Sequence, residues 1–262
     1  MFYQSRDRDI NFIKARKNHK CYGMGLGIMI LDDVYPGFPG DVRNASAFNF
    51  PIQYEVIKGV DNLNLMHAED KTPLIEPIIN AAKHLESMGC RAIVAECGYF
   101  AWFQKEVAGS VNVPVYMSSL MQVPLIQQAI GPKKDVGILC AEKGCLTDGH
   151  LQHVGIDLNS NYFIHGTQDD YVVKDFKNLW DERVRPEVPV ATYKNTENEL
   201  IEIVKDIAKN HPHMGALMLE CTGMQPFARA IQREIEIPVF SWGTLLELAY
   251  SSAVHRDYYG HV

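Results

Sequence analysis

Long apolar runs are missing from this chain; the longest kind, such as Leu26 to Leu31, falls far short of the roughly 20 residues that a membrane-spanning helix needs. Cysteine is scarce as well, with 6 in 262 residues (Cys21, Cys90, Cys97, Cys140, Cys145, Cys221). That excludes a small disulfide-stapled scaffold and fits a reducing compartment. Met1 to Lys20 mixes Arg and Lys with Asp and lacks the apolar stretch of a secretory signal, so a soluble, cytoplasmic protein with no membrane partner is expected. Positive charge is not in excess: 25 basic residues against 32 acidic ones leave a formal charge of -7. No nucleic-acid motif offsets this balance, and no nucleic-acid partner is expected. There is no G-x-x-x-x-G-K-S/T loop, no G-x-S-x-G elbow and no H-E-x-x-H pattern, and the histidines (among them His67, His150, His165, His211 and His213) are dispersed. Gly23-Met24-Gly25-Leu26-Gly27 superficially matches a dinucleotide fingerprint, but it precedes its strand, so its glycines are read as close-packing positions. No cofactor is expected.

What is present is one phrase written twice. Ala92-Ile93-Val94-Ala95-Glu96-Cys97 and Ala216-Leu217-Met218-Leu219-Glu220-Cys221 stand 124 residues apart, and each reaches a second apolar run at the same ungapped distance, Val113-Pro114-Val115-Tyr116 and Ile237-Pro238-Val239-Phe240. Such runs, one helix apart, read as strand, crossover helix and parallel strand. Each cysteine then ends a strand just before a helix N-terminus. Open parallel sheets bind ligands there, and a thiol so placed is biased toward thiolate. Two thiols facing one carbon can serve as base and acid. The plainer reading is that both are small buried residues, as free cysteines often are. By strand alternation Glu96 and Glu220 are expected on the face opposite the cysteines, as interface or supporting groups.

Strands and helices alternate nearly throughout, the mark of parallel α/β architecture. Strands are expected at Met24–Leu31, Tyr54–Ile57, Tyr162–His165 and around each repeated phrase. Helices are expected over Thr72–Ser87 with Thr72 as N-cap, Phe100–Ala108, Leu120–Ile130, Lys143–His153, Glu197–Asn210 and Thr244–Val254. The loop from Asp32 to Asp41 carries two Pro-Gly-type punctuations and is expected to hold a fixed shape. Gly131-Pro132-Lys133-Lys134 breaks the pattern, and Val136-Gly137-Ile138-Leu139 restarts that of Leu26-Gly27-Ile28-Met29. The division that follows is a polar N-terminal extension over 1–22, a first lobe over 23–131 and 244–262 carrying Cys97, and a second lobe over 132–243 carrying Cys221. The tail from His255 to Val262 is expected to pack as an extension or to be mobile.

Further candidates cluster at the strand ends. Backbone N–H groups after each cysteine (Gly98, Tyr99, Thr222, Gly223) and the hydroxyls of Thr222, Ser118 and Ser119 suit a carboxylate, although Ser and Thr are equally the preferred helix N-caps. Arg43, just past the Pro-Gly loop, is a candidate carboxylate partner, with simple solvation as the alternative. Cys140 and Cys145 lack a second Cys/His pair at zinc-site spacing, so no metal is expected. Tyr99, Phe100 and Trp102 suit either a cationic substrate end or core packing.

The paired cysteine strand ends, the restart at Val136-Gly137-Ile138-Leu139 and the ending Ile237-Pro238-Val239-Phe240 resemble the aspartate/glutamate racemase superfamily over nearly the whole chain. The resemblance implies two pseudo-symmetric α/β lobes, each a parallel sheet flanked by helices, with the active site in the cleft between them. It further implies no cofactor and two cysteines, matched by Cys97 and Cys221, that exchange a proton beside a carboxylate. The chain has Cys97-Gly98-Tyr99 and Cys221-Thr222-Gly223 where amino-acid racemases of this group usually show Cys-Asn-Thr and Cys-Thr-His, so the Asn that helps hold the amino acid and the His beside the second cysteine are missing, which weakens glutamate or aspartate as the implied substrate. Tyr35 to Asp41, Cys97-Gly98-Tyr99-Phe100, Met117-Ser118-Ser119 and Glu220-Cys221-Thr222 are similar to the algal dimethylsulfoniopropionate lyases of the superfamily. The expected function is a cofactor-independent racemase or isomerase of a small, amino-acid-like carboxylate, preferred narrowly because it uses both thiols. A C–S lyase that makes dimethyl sulfide and acrylate is the alternative, and a non-catalytic carboxylate-binding protein the second. Either is compatible with a homo-oligomer.

Overall fold

The computed structural model describes residues 19–256 together with Ala15, Lys17 and Tyr258. Most of the expected N-terminal extension and of the tail past Arg256 lies outside the described residues.

Among those residues the strands form two four-stranded sheets, both wholly parallel. The first holds β1 (Leu26–Leu31), β2 (Ile52–Ile57), β3 (Ala92–Ala95) and β4 (Val115–Tyr116) in the order β2-β1-β3-β4. The second holds β5 (Asp135–Cys140), β6 (Tyr162–Gly166), β7 (Met214–Leu219) and β8 (Val239–Phe240) in the order β6-β5-β7-β8. The two halves thus wind identically. Central strands β3 and β7 are buried at every position, as expected of parallel strands covered on both faces.

The glycine-bearing strands lie beside the cysteine strands, Gly27 opposite Ile93 and Gly137 opposite Leu217. A Cβ on Gly27 would stand 3.0 Å from Cys90 Sγ and Leu85 Cδ2, and one on Gly137 only 2.7 Å from Met214 Sδ. Both glycines therefore serve close packing, and neither faces a phosphate site.

The helices are α1 (Asn62–His67), α2 (Thr72–Ser87), α3 (Gln104–Ala108), α4 (Val123–Ile130), α5 (Asp148–His153), α6 (Asp175–Trp180), α7 (Tyr193–Asn210), α8 (Ala228–Ile235) and α9 (Trp242–Ala253). Thr72 is the first residue of α2 and not its cap; Asp70 accepts the Thr72 N–H at 2.9 Å instead. Three of the expected helices open as tight 3-10 turns, Gly98–Phe103 before α3, Ser119–Gln122 before α4 and Lys143–Cys145 before α5, and Thr222–Phe227 does the same before α8. Short 3-10 pieces of this kind commonly lead into helices. No helix among the described residues is long and apolar enough to cross a membrane.

Each half lends its last helix to the other. The first half's α4 packs on β5 and β7, whereas α9, at the end of the second half, packs on β1 and β3. Trp242, Leu245, Leu246 and Ala249 of α9 share a core with Leu26, Ile28, Ala92 and Val94. Grouping by packing puts α4 with the second sheet and α9 with the first.

Candidate active site

Cys97 and Cys221 lie two residues past the ends of β3 and β7, in extended backbone (φ/ψ -125/136 and -81/135), and stand at the N-cap of the 3-10 turns that follow. Both line one cavity at the carboxyl edges of the two sheets. The thiols sit in matching surroundings. Each approaches the backbone N–H two residues on, Tyr99 for Cys97 and Gly223 for Cys221, which favours the thiolate. Burial outweighs this and pushes both thiols well above the ordinary cysteine value, with the Glu220 carboxyl adding to the rise. The thiolate bias expected from the sequence is thus not found. A six-residue 3-10 turn aligns few peptide dipoles, and the half-buried cysteines on the cavity wall are largely shielded from water.

The two glutamates also face this cavity. Strand alternation, which predicted the opposite side, lapses because both lie beyond the last ladder residues, Ala95 and Leu219. Their partners differ completely. Glu96 accepts the Leu31 N–H at 2.6 Å and takes Arg43 in a forked pair, Nη2 to Oε1 at 2.5 Å and Nε to Oε2. Burial raises the Glu96 carboxyl, and Arg43 and the Leu31 N–H oppose that rise. Glu220 is fully buried, with no hydrogen-bond partner for either carboxyl oxygen among the described residues. Burial lifts it to about 8, opposed only by the nearby Ala141 N–H.

The loop after β1 supplies Asp33, Tyr35 and Arg43 to the first half's wall. Asp41 N–H donates to Phe38 O at 2.8 Å, and Phe38 packs edge-on against Tyr193 and Phe227 of the second half, at 5.3 and 5.9 Å. Gly40, at φ 107, lies against the Pro226 backbone; this left-handed conformation favours glycine. Tyr35 is thereby held with its ring 5.6 Å from the Arg43 guanidinium and its hydroxyl against Gly223. Asp33 and Asp41 are both pushed up to about 7, chiefly by burial; Glu182 adds to the rise at Asp33, and Glu96 to that at Asp41.

Of the residues singled out in the sequence, Cys97, Cys221, Tyr99, Thr222 and Arg43 line the cavity. Gly98 and Gly223 bring their backbones against Glu220 and Tyr35, respectively. Tyr99 spends its hydroxyl across the lobes, donating to Glu142 O at 2.7 Å and accepting from Glu142 N at 2.9 Å. Arg43 is not a free carboxylate partner. Besides Glu96 it donates to Asp33 O at 2.7 Å and Leu31 O at 3.0 Å, which leaves one guanidinium hydrogen. Ser118 and Ser119 are fully buried behind the cavity: Ser118 Oγ caps Leu120 N at 3.2 Å, and Ser119 Oγ donates to Glu220 O at 3.2 Å. Phe100 is core, and Trp102 packs against His150 and His153.

Asp33, Tyr35, Asn62 and Trp180 also line the cavity and are not among the site residues named from the sequence, although Tyr35 belongs to the loop singled out there. Asn62 Nδ2 donates to Trp180 O at 2.7 Å, tying the halves together. The Pro-Gly loop at the carboxyl end of β1 was the available signal for Asp33 and Tyr35, because parallel sheets place their ligands at that edge. Nothing local marks Trp180. Cys140 Sγ points to His165 O, whereas Cys145 meets His67 Nδ1 at 3.4 Å beside Glu142. Arg183 already occupies that Glu142 carboxylate at 2.7 Å.

No protein-family model matches the chain. It is 29% identical over 221 residues to a dimethylsulfoniopropionate lyase of Durusdinium sp. clade D, covering 82% of this chain and 70% of that one. To dimethylsulfoniopropionate lyase 7 of Emiliania huxleyi it is 27% identical over 225 residues, 84% of this chain and 64% of the relative. The chain thus spans roughly two thirds of these relatives' own length. Among solved structures, a variant of arylmalonate decarboxylase superposes with a TM-score of 0.57 at 14% identity, covering 90% of this chain and 98% of the other. Aspartate racemase of Picrophilus torridus superposes at 0.51 and 18% identity, covering 87% and 93%. This is the aspartate/glutamate racemase fold. The proteins it resembles are enzymes, lyases by sequence and decarboxylases or racemases by structure.

Proposed function

We propose that the chain is a cofactor-independent enzyme that removes the proton beside a small carboxylate, with Cys97 and Cys221 as its proton-transfer groups. The observation that carries this reading is the convergence of both thiols, one from each sheet, on a single cavity. Substrate carboxylate binding falls to the backbone N–H groups of the turns after each cysteine, since Arg43 is committed to Glu96. These donors sit where charge builds as the proton leaves.

The outcome we favour is β-elimination. The relatives named above are lyases of a sulfonium carboxylate, and Tyr99 and Trp180, whose faces can attract a cationic end, line the cavity that also holds Asp33. One cysteine, entering the step as its thiolate, takes the α-proton and becomes the thiol; the C–H electron pair forms the double bond, and the sulfonium leaves with its C–S pair as neutral sulfide, giving acrylate. Racemisation is the second reading, supported by the equivalent placement of the thiols, which a reaction with base and acid on opposite faces requires.

The test incubates the protein in D2O with dimethylsulfoniopropionate and with a panel of small chiral carboxylates, following α-deuteration, sulfide, acrylate and enantiomer ratio. Cys97→Ser and Cys221→Ser should each lose at least about a hundredfold in rate, the lower range for a positioned acid or base. Stoichiometric acrylate and sulfide support elimination, and a racemate without unsaturated acid supports racemisation. Wild-type rates in both variants would sink the two-thiol site.

A further inference from the structure

We propose that Glu220 is a carboxylic acid held neutral in the wall of the cleft, and that it donates its proton in a hydrogen bond to the substrate's carboxylate oxygen as that oxygen gains charge. The inference rests on the proton-abstraction reading above and adds the group that receives the developing enediolate.

The main chain at Glu220 is fixed. Its carbonyl accepts from Trp242 Nε1 at 2.6 Å and from Ser119 Oγ at 3.2 Å, both in the interior. The side chain then reaches across to the turn that follows Cys97. A Cβ on Gly98 would stand 1.9 Å from Glu220 Oε1, so only a glycine there admits the carboxyl. This places one buried acid against the turn of the first half and within electrostatic reach of both thiols. Among the described residues neither oxygen has a hydrogen-bond partner within bonding geometry, the nearby Ala141 N–H being the one donor that acts on it, although a buried polar group is normally paired.

Its counterpart shows what an ionised glutamate needs at this position. Glu96, 124 residues earlier in the repeat, is ringed by three N–H donations, two of them from a guanidinium. Among the described residues, the ionisable groups that feel Glu220 are Cys97 and Tyr99 from the first half and Cys140 and Cys221 from the second, none of them a cation. An anion buried there unpaired is strongly disfavoured, so the carboxyl keeps its proton. Its titration near 8 agrees. A neutral acid is a hydrogen-bond donor, and a substrate carboxylate is the acceptor that completes it. The bond strengthens in the enediolate, when charge on the acceptor oxygen rises. No bond to carbon is made: the proton is shared with that oxygen and stays with Glu220 when the double bond or the new C–H bond forms.

Two measurements test this. Infrared difference spectra of wild type minus Glu220→Gln should show a protonated-carboxyl band at neutral pH that fades as pH rises through about 8. Absence of the band overturns the proposal whatever the enzyme's activity. In kinetics, Glu220→Gln, which keeps a donor, should lower kcat by about tenfold and lose the alkaline limb, whereas Glu220→Leu should lose at least about a hundredfold, mainly in kcat. A Gln variant with the wild-type pH profile, or a Leu variant with wild-type kcat, would overturn it. Full activity in Cys97→Ser and Cys221→Ser would instead sink the proton-transfer reading with the infrared result intact, so the two failures are separable.

Discussion

Glu96 and Glu220 hold the same place in the repeated motif, yet one is clamped by Arg43 and the other, among the described residues, meets no cation and only the nearby Ala141 N–H. Arg43→Met should therefore cost about 3–5 kcal/mol, because it leaves the Glu96 carboxylate buried and unpaired. Adding Glu96→Gln should recover much of that loss, measurable by urea unfolding of both variants. Glu220 predicts a pH effect of definite sign. Its folded-state value is about 8 against an ordinary 4.5. Below 4.5 both folded and unfolded chains hold the proton; between 4.5 and 8 only the folded chain does, so stability falls as pH rises, by at most about 1.4 kcal/mol per pH unit. Glu220→Gln removes this dependence. Its melting temperature relative to wild type should climb from pH 5 toward pH 8 and then level off, and a difference that stays constant with pH would contradict the neutral acid.

Among the elements, the loop after β1 organises the site. It carries Tyr35 and Asp41, delivers the chain to Arg43, and is pinned to the second half through Phe38. Phe38→Ala removes two edge-to-face contacts, each worth about 0.5–1.5 kcal/mol beyond its buried area. The expected result is a loss of about 2 kcal/mol together with a fall in kcat of at least about tenfold, because Tyr35 and Arg43 lose their setting. Most elements were legible in the sequence: Thr72–Ser87 was read at its observed ends, and each cysteine was read at its strand terminus. The 3-10 turns were not separated from the helices they introduce, because both patterns place apolar residues three apart. Helix α6, which brings Trp180 to the cavity, was missed because six residues carry too short a period to stand out.

The halves of the molecule share strand order and exchange their last helices, α4 onto β5 and β7 and α9 onto β1 and β3. A chain ending at Ser241 should fail to fold cooperatively, because it strips Trp242, Leu245, Leu246 and Ala249 from the apolar face formed by Leu26, Ile28, Ala92 and Val94. Gel filtration and amide dispersion in NMR would check this; a monomer with native dispersion would refute it.

The sequence by itself determined the alternation of strands and helices, the doubled winding and the placement of Cys97 and Cys221 at equivalent strand ends. These follow from local periodicity and from an ungapped repeat, both of which survive without knowledge of any distant contact. Only the tertiary structure decided the ionisation of the site. Arg43 meets Glu96 across 53 positions of the chain, whereas Glu220 lies against Gly98 from the opposite half. Burial and the presence or absence of one guanidinium set the charge of two glutamates in identical Glu-Cys settings, and both are consequences of how the lobes close on each other.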